Sequence, residues 1–480
     1  MKVSLQLEDD AGAPLYRQIY AQMRDLILQG ALPAGSKLPP TRRLAQQHDV
    51  ARITVTQAYR QLQAEGFVVA RPGAGTFVAD PLPLPAETEE TTFTPALSRW
   101  GQRVLRADGQ RGRGSPAGRF DIDFGFGRAF PHIFPYNVWR RLLARYLSTD
   151  DVMLSRYGSV AGFDPLRAAI ADYLARLRGV HCTAEQVIIV NGAQQALDIL
   201  ARLLLRSGNT VLVETPGYTS AFALFKVHGA RLMALPVDEH GFPVEAIPAD
   251  SAARLAFITP TNQFPRGGAM PLQRRLALLQ WAQEANAVVV EDDYDGALRY
   301  EGHPLAALQG LDEDGHVIYL GTFSKVLFPA LRLGYVVLPP ALLSPFVQAK
   351  SIVDRGAPTL TQAAVADFIT EGYFERHLQR LRQAYGRRRA VLVDTLRARL
   401  GGQVSFAAEP AGLHVMLYLA PGYDEATVVE KAAAAGVGVY PGAPYHLQDP
   451  APPSILLGFS GLSASEISEG VARLAAAMKG

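Results

Sequence analysis

The chain has little that would tie it to an oxidising compartment or a bilayer. Its 480 residues contain one cysteine, Cys182, so no disulfide can form within the chain and an intracellular setting is expected. Cys182 precedes an apolar strand-like run and reads as a structural thiol. No apolar stretch is long enough to span a bilayer, and the opening MKVSLQLEDD lacks the apolar region of a secretion signal. Both absences point to the cytoplasm. An excess of one charge is missing too. With 47 Lys and Arg against 45 Asp and Glu, the formal net charge of +2 gives no pointer to nucleic acid. Only the local distribution of charge decides that question.

What is present fits a globular protein with a substantial core: 48% apolar and 19% charged residues. The length predicts two or three domains, and composition divides the chain into three regions without internal repeats. Residues 1–79 are helix-like and basic. Residues 80–118 are rich in Pro, Gly, Thr and charge, and read as a flexible or partly extended linker. Residues 119–480 alternate apolar strand runs with amphipathic helical patterns.

In the first region, PLYRQIYAQMRDLILQ carries Leu15, Ile19, Met23, Leu26 and Ile27 at helical spacing. TRRLAQQHDV and ARITVTQAYRQLQAEG follow as two helices joined by a short turn, and FVVARPGAGTFV reads as a hairpin with PGAG at its tip. Three helices and a hairpin make a winged helix-turn-helix. Across residues 11–79 eight Arg and Lys oppose three acids, a local net of +5. Arg52, Thr54 and Gln57 open the second helix of the pair, where base edges are met; Arg42, Arg43, Arg71 and the wing glycines Gly73 and Gly75 suit the phosphate backbone. Charge alone would favour a helical cap with ordinary surface arginines. The pieces PLYRQIYAQMR, GALPAGSKLPPTRRLA, TVTQAYRQLQAEGFV and RPGAGTFV together resemble the GntR family of bacterial regulators over nearly all of residues 11–79. One departure is Pro40 and Thr41, where serines are common in that family.

In the third region VIIVNG, TVLVET, LAFITP, AVVVED, HVIYLG and LGYVVL predict strands buried on both faces, with helices between them. This is an α/β unit with a mostly parallel sheet, in which ligands gather at the carboxyl ends of strands. There stand Lys325 after TFS, the acids of VVVEDDYD, a helix opening at NGAQQAL, and Tyr218 in TPGY. A lysine amine, a carboxylate, a phosphate cradle and a flat ring cover are what pyridoxal 5′-phosphate (PLP) requires. Lys325 supplies the amine for a Schiff base, its pKa lowered by desolvation and by Arg332 nearby. Asp292 is the candidate facing the ring nitrogen and Tyr294 the donor to the phenolic oxygen. Gly192, Ala193 and Gln194 at a helix start, with Thr322, Ser324 and Arg332, form the phosphate cradle, and Tyr218 stacks on the ring. No metal site is read. Each feature alone has an ordinary explanation: a solvated lysine, a turn-capping aspartate, a core tyrosine. Their order along one sheet favours the cofactor.

YGSVAGFDPLR, NGAQQALDILARLL, TPTNQFPRGGAMPLQRRLALLQWA, VVVEDDYDGALRYEGHPLAALQ and VIYLGTFSKVLFPALRLGYVV resemble fold-type I aminotransferases, specifically the MocR subfamily of GntR regulators, from about residue 120 to 480. The resemblance implies PLP on Lys325 of GTFSK, the aspartate of EDDYD at Asp292 (Asp293 being the other register), and a homodimer in which Tyr157 reaches the partner's phosphate. Asn262 stands where the family has histidine and is read as a hydrogen-bonding group near the ring. Two arginines that hold substrate carboxylates in related aminotransferases are replaced by Leu456 and Ser220. The expectation is a regulator that binds double-stranded DNA at two half-sites and senses PLP or an amine without that carboxylate. Regulators of vitamin B6 genes in the subfamily are the precedent for PLP itself. The alternatives are a working aminotransferase with an appended DNA reader, and a structural remnant that serves only to dimerise.

Overall fold

The computed structural model describes residues 3–8, 12–80, 95–107, 119–128, 133–147, 155–407, 410–447 and 450–479. The chain divides into two compact units, residues 1–96 and 97–480. In the first, α1 (Leu15–Leu28) buries Ile19, Met23 and Ile27, which recur every fourth residue. Helix α2 (Thr41–Gln47) and helix α3 (Arg52–Ala64) close on it, α3 through Val55, Ala58, Tyr59 and Leu62. The Tyr59 hydroxyl donates to the Pro39 carbonyl at 2.9 Å and ties α3 to the segment before α2. Strands β1 (Val68–Arg71) and β2 (Gly75–Val78) pair antiparallel as the wing. Gly73 (φ +74°) and Gly75 (φ +114°) turn its tip in the left-handed region that favours glycine.

The second unit begins with α4 (Arg99–Arg106), which lies inside the segment 80–118 expected as linker. Ser98 caps it, its Oγ accepting from Gly101 N, and Arg103 donates to Ser207 Oγ at 2.9 Å. Arg103 and Arg106 stand at the negative end of the helix. The Pro- and Gly-rich flanks hid this short helix in the composition; residues 81–94 and 108–118 lie outside the described residues. After β3 (Ile122–Asp123), α5 (Tyr136–Leu147) and α6 (Asp164–Arg178) comes a seven-stranded sheet. Its elements in chain order are β4 (Val187–Val190), α7 (Ala193–Leu204), β5 (Thr210–Thr215), α8 (Thr219–Val227), β6 (Arg231–Pro236), β7 (Ala253–Ile258), α9 (Leu272–Glu284), β8 (Val288–Asp293), β9 (Val317–Thr322) and β10 (Gly334–Val337). The order is β4-β10-β9-β8-β7-β5-β6. All neighbours pair parallel except β10, which runs antiparallel between β4 and β9. Apolar side chains on the two faces of this sheet join separate core clusters, so it is covered on both sides.

Helices α10 (Pro340–Val353), α11 (Thr359–Thr370) and the long α12 (Tyr373–Leu400) lead out of the sheet. A four-stranded antiparallel sheet follows, in the order β11-β12-β15-β14, from β11 (Val404–Ser405), β12 (His414–Leu419), β14 (Tyr440–Pro441) and β15 (Ser454–Gly458). Helix α13 (Glu425–Ala434), β13 (Val437–Gly438, parallel to β3) and α14 (Ala464–Lys479) complete the unit.

Candidate ligand cavity and DNA-reading surface

Strand β8 ends in Glu291, Asp292 and Asp293, and the pleat sends neighbours to opposite faces. Asp292 turns to a cavity that Lys325 also lines, with Tyr294 two residues on. Asp293 turns the other way, where Arg178 Nε donates to it at 2.8 Å and the Tyr319 hydroxyl at 2.5 Å. Arg178 is 1% exposed and spreads its remaining donors over Thr261 Oγ1 and the Leu305 carbonyl. Burial pushes the Asp292 carboxyl up to about 7, reinforced by the charge of Asp293 and opposed by Lys325. This carboxylate gains from a cation placed beside it, as a protonated pyridine nitrogen would be.

At the far end of the cavity, Gly192 (φ +91°) caps α7 and leaves the amides of Ala193 and Gln194 facing inward. Arg332 reaches over this helix start from beyond β9, its Nη2 donating to the Asn191 carbonyl at 3.2 Å. A Cβ on residue 192 would lie 3.1 Å from that Nη2, so the guanidinium and the helix end share a space only glycine leaves open. A helix N-terminus under a guanidinium is an anion cradle. Thr322 and Ser324 complete the wall, the Thr322 hydroxyl accepting from Ser324 N at 3.1 Å.

Lys325 lies between the two ends, its Nζ 4.3 Å from the Phe126 ring centroid. Burial lowers its pKa, while Asp295 and Asp292 work against the shift. The sequence reading credited Arg332 with part of this lowering. The structure corrects that: Arg332 is committed to the start of α7, and desolvation alone drives the lysine towards its neutral form. Gly127 (φ +82°) passes so close that a Cβ there would stand 2.8 Å from Lys325 Nζ. An amine of lowered pKa, a carboxylate poised near neutrality and an anion cradle fit PLP. Once bound, PLP would supply an electrophilic carbonyl and an electron-accepting ring, and these residues would hold and orient it.

Tyr218 lines the same cavity, packed face to face with Phe257 at 6.4 Å and edge-on against Phe264 at 5.9 Å. Asn262 lies behind Tyr294; its Nδ2 donates to the Tyr294 oxygen at 3.1 Å and to Asp295 Oδ2 at 2.8 Å. Of the cofactor-binding candidates, Asn262 and Tyr157 do not line the cavity: Asn262 backs its wall, and Tyr157 stands at 89% exposure.

The sequence reading passed over Phe126, Thr259 and Phe264 in the wall, and Glu214, Asp295 and His414 behind it. Phe264 is the hub, meeting Tyr218, Tyr294, His414 and Tyr445 edge-on. Its position inside TNQFP was the available signal. Glu214 accepts from Thr259 N at 3.1 Å and Thr259 Oγ1 at 2.5 Å, and burial raises its pKa to about 7. Asp295 is raised by burial to about 8. His414 is lowered by burial to about 3 and is therefore neutral. Leu456, 1% exposed, sits between Met416 and Tyr440 in the smaller sheet. Arg128, one residue after Gly127, is ion-paired with Asp123 at 2.6 Å.

In the first unit, Arg42, Arg43, Arg52, Gln57, Arg71, Gly73 and Gly75 are exposed and Thr54 is half-buried. Arg52 opens α3, its Nε 3.5 Å from Thr41 Oγ1 across the turn. Arg71 lies over the Phe77 ring at 4.8 Å, which holds a wing cation in place. Positive side chains therefore mark the recognition helix, the helix before it and the wing.

These features define a class: a winged helix-turn-helix DNA reader joined to an aminotransferase-like, PLP-binding unit. Residues 15–78 match the bacterial regulatory proteins of the gntR family, and residues 130–474 match aminotransferase class I and II. The chain belongs to the MocR subfamily of GntR-type regulators and is a PLP-dependent transcriptional regulator. It is 40% identical to the probable rhizopine catabolism regulatory protein MocR of Rhizobium meliloti, over 98% of this chain and 95% of that one. The pyridoxine biosynthesis regulator PdxR of Corynebacterium glutamicum is 32% identical, covering 88% and 86% respectively. Among solved structures, a kynurenine aminotransferase of Pyrococcus horikoshii in complex with PMP superposes with a TM-score of 0.71 at 28% identity. That match covers 82% of this chain and 97% of the enzyme.

Proposed function

We propose that the Lys325 cavity is a sensor whose effector is PLP itself or an amine without the usual α-carboxylate. In this reading Lys325 holds the cofactor carbon, Asp292 its ring nitrogen, and Arg332 with the start of α7 its phosphate. The observation that carries the effector class is Leu456. It occupies the place where related aminotransferases keep a carboxylate-binding arginine, and it is buried among apolar strand neighbours. Ser220 holds the second such place, and the charge of Arg128 is already compensated by Asp123. A substrate carboxylate brought here without a cation would be strongly disfavoured.

Ligand occupancy then biases a homodimer between states that present two DNA readers differently, by no more than its differential affinity for them. Two readers imply two half-sites on the duplex. The 89% exposure of Tyr157 supports a partner subunit that covers it, with Tyr157 reaching the partner's phosphate. Cytoplasmic residence goes with DNA binding, and no helix among the described residues is long and apolar enough to cross a membrane.

The test is DNA binding to the chain's own upstream region with PLP, without PLP, and with a panel of amines. In parallel, amino acids are titrated into the PLP-bound protein while its visible absorbance is followed. Ready spectral exchange with ordinary amino acids would sink the effector class. The second reading, a working aminotransferase, draws on the complete cofactor set; multiple turnovers in a steady-state transamination assay would favour it.

A further inference from the structure

Beside the start of α7 lies an ion pair between Lys350, within α10, and Asp354, which caps the C-terminal end of that helix. Lys350 Nζ donates to both Asp354 oxygens, at 2.8 and 2.6 Å, and the lysine is 0% exposed. Taking an ammonium out of water is seldom repaid by one ion pair, so the pair calls for a use other than stability. Its remaining bonds supply one. Asp354 Oδ2 also accepts from Gln195 Nε2 at 2.7 Å and from Asn191 Nδ2 at 3.1 Å. Asp354 Oδ1 accepts from Gly356 N at 2.9 Å. Gln195 in turn accepts through Oε1 from Asn191 N at 2.8 Å. Asn191 and Gln195 bracket the helix start at Gly192, Ala193 and Gln194, and the Asn191 carbonyl is the one that receives Arg332. Every partner of Asp354 is a donor, so only the ionised carboxylate satisfies them all. Burial works against that charge, but the bonds from Lys350, Gly356 and Gln195 outweigh it and hold the pKa below the usual value. A carboxylate at the negative end of its own helix is misplaced; here it serves the positive end of another.

We propose that Asp354 is a positioning residue for the phosphate cradle, and that through it the cavity distinguishes PLP from unphosphorylated pyridoxal. Asp354 holds Asn191 by its side chain and Gln195 by its amide. The first turn of α7 and the carbonyl that meets Arg332 are thereby set in place before an anion arrives, which removes an ordering cost from binding. Lys350 has a part in this as well. It compensates the carboxylate, so the cradle is ordered without an uncompensated negative charge beside the incoming phosphate. The bonds named run to neither Lys325 nor Asp292, so the carbonyl and ring-nitrogen ends of the site are left as they are. The inference rests on the assignment of this end of the cavity to the phosphate, and it adds the residue that makes the phosphate count.

The test titrates PLP and pyridoxal separately into the cofactor-free full-length protein and follows each by visible absorbance. The wild type is expected to bind PLP about 100-fold more tightly than pyridoxal, the loss of two charge-assisted contacts to phosphate. Asp354→Asn sets an amide donor against donors. It should weaken PLP about 10-fold, as the loss of an orienting outer bond does at a metal site, and leave pyridoxal within about 2-fold. Gln195→Met cuts the link to Asn191 but keeps the Lys350–Asp354 pair, and so reports even where Asp354→Asn fails to fold. It should shift the same ratio in the same direction, by about 5-fold. Equal weakening of PLP and pyridoxal in the variants is the mark of a purely structural role and overturns the proposal. Unchanged PLP affinity in both variants overturns it too. A wild type that binds PLP no more tightly than pyridoxal removes the phosphate from this end of the cavity, and the proposal with it. That failure is read before any substitution is made, and so is told apart from a failure of Asp354 alone.

Discussion

Replacing Asp292 by Asn separates cofactor recognition from simple structural damage, because the two effects have opposite signs. Asp292 is 6% exposed, and burial raises its pKa from 3.8 to about 7. That displacement of roughly three units corresponds to about 4 kcal/mol. The figure is a ceiling, since Asp293 and Lys325 share in the shift. In the cofactor-free protein the folded state keeps a proton that the unfolded chain releases above pH 3.8. This contribution to stability is therefore full below pH 3.8 and is lost as pH rises through about 7. Asn carries no such cost. Cofactor-free Asp292→Asn should melt a few degrees higher than wild type near pH 8, with the gap closing as pH falls towards 4. With PLP the gap narrows. The variant loses a charge-assisted bond to the ring nitrogen of about 1.5–3 kcal/mol, or roughly 10–100-fold in affinity. Melting curves at several pH values, with and without PLP, read both effects on one sample. A variant less stable than wild type without PLP near pH 8, or one stabilised equally by PLP, refutes the assignment of Asp292 to the ring nitrogen.

Gly127→Ala should place a methyl against Lys325 Nζ in a backbone that disfavours it, at about 1–2 kcal/mol of strain. PLP loading, read as visible absorbance after dialysis, falls, and the response of DNA binding to added PLP falls with it. Arg178→Met leaves Asp293 charged and buried without its guanidinium and should cost about 3–5 kcal/mol in urea unfolding. Adding Asp293→Asn to it should recover part of that loss, whereas simple additivity would refute the pairing. Arg52→Ala should weaken DNA binding and lower the salt-dependence slope by about 1 if it meets a phosphate, with PLP absorbance unchanged.

The elements of both units were legible where apolar period and turn chemistry agreed. The wing, α1 and α3, and the strands buried on both faces follow from spacing alone. Strand β6 escaped because it is an edge strand, with Arg231 at its start and only Leu235 fully buried. The C-terminal strands escaped because their pairing is distant in sequence; β12 meets β15 across residues that include a helix and two short strands. Strand-end polar residues of the site were legible because a parallel sheet collects them at one edge. The aromatic hub was not, since Phe264 and His414 come together only when residues 149 positions apart converge, as in the bond from His414 to the Pro265 carbonyl. Arg332 shows the converse error: seven positions from Lys325 along the chain, it spends its charge on a different part of the cavity.

The alternation at the end of β8 also bears on how this site can change over time. Adjacent aspartates serve opposite sides of one sheet, Asp292 towards the cofactor and Asp293 towards Arg178. Substitutions elsewhere in the strand leave that division intact. Deleting one residue between Val288 and Glu291 would not, because every side chain beyond it would cross to the other face. The cofactor's partner would then confront Arg178, and the scaffold's partner would confront the ring. The strand is thus open to point mutation and closed to frame change, so length variation among relatives should fall in the loops flanking β8 and never within it.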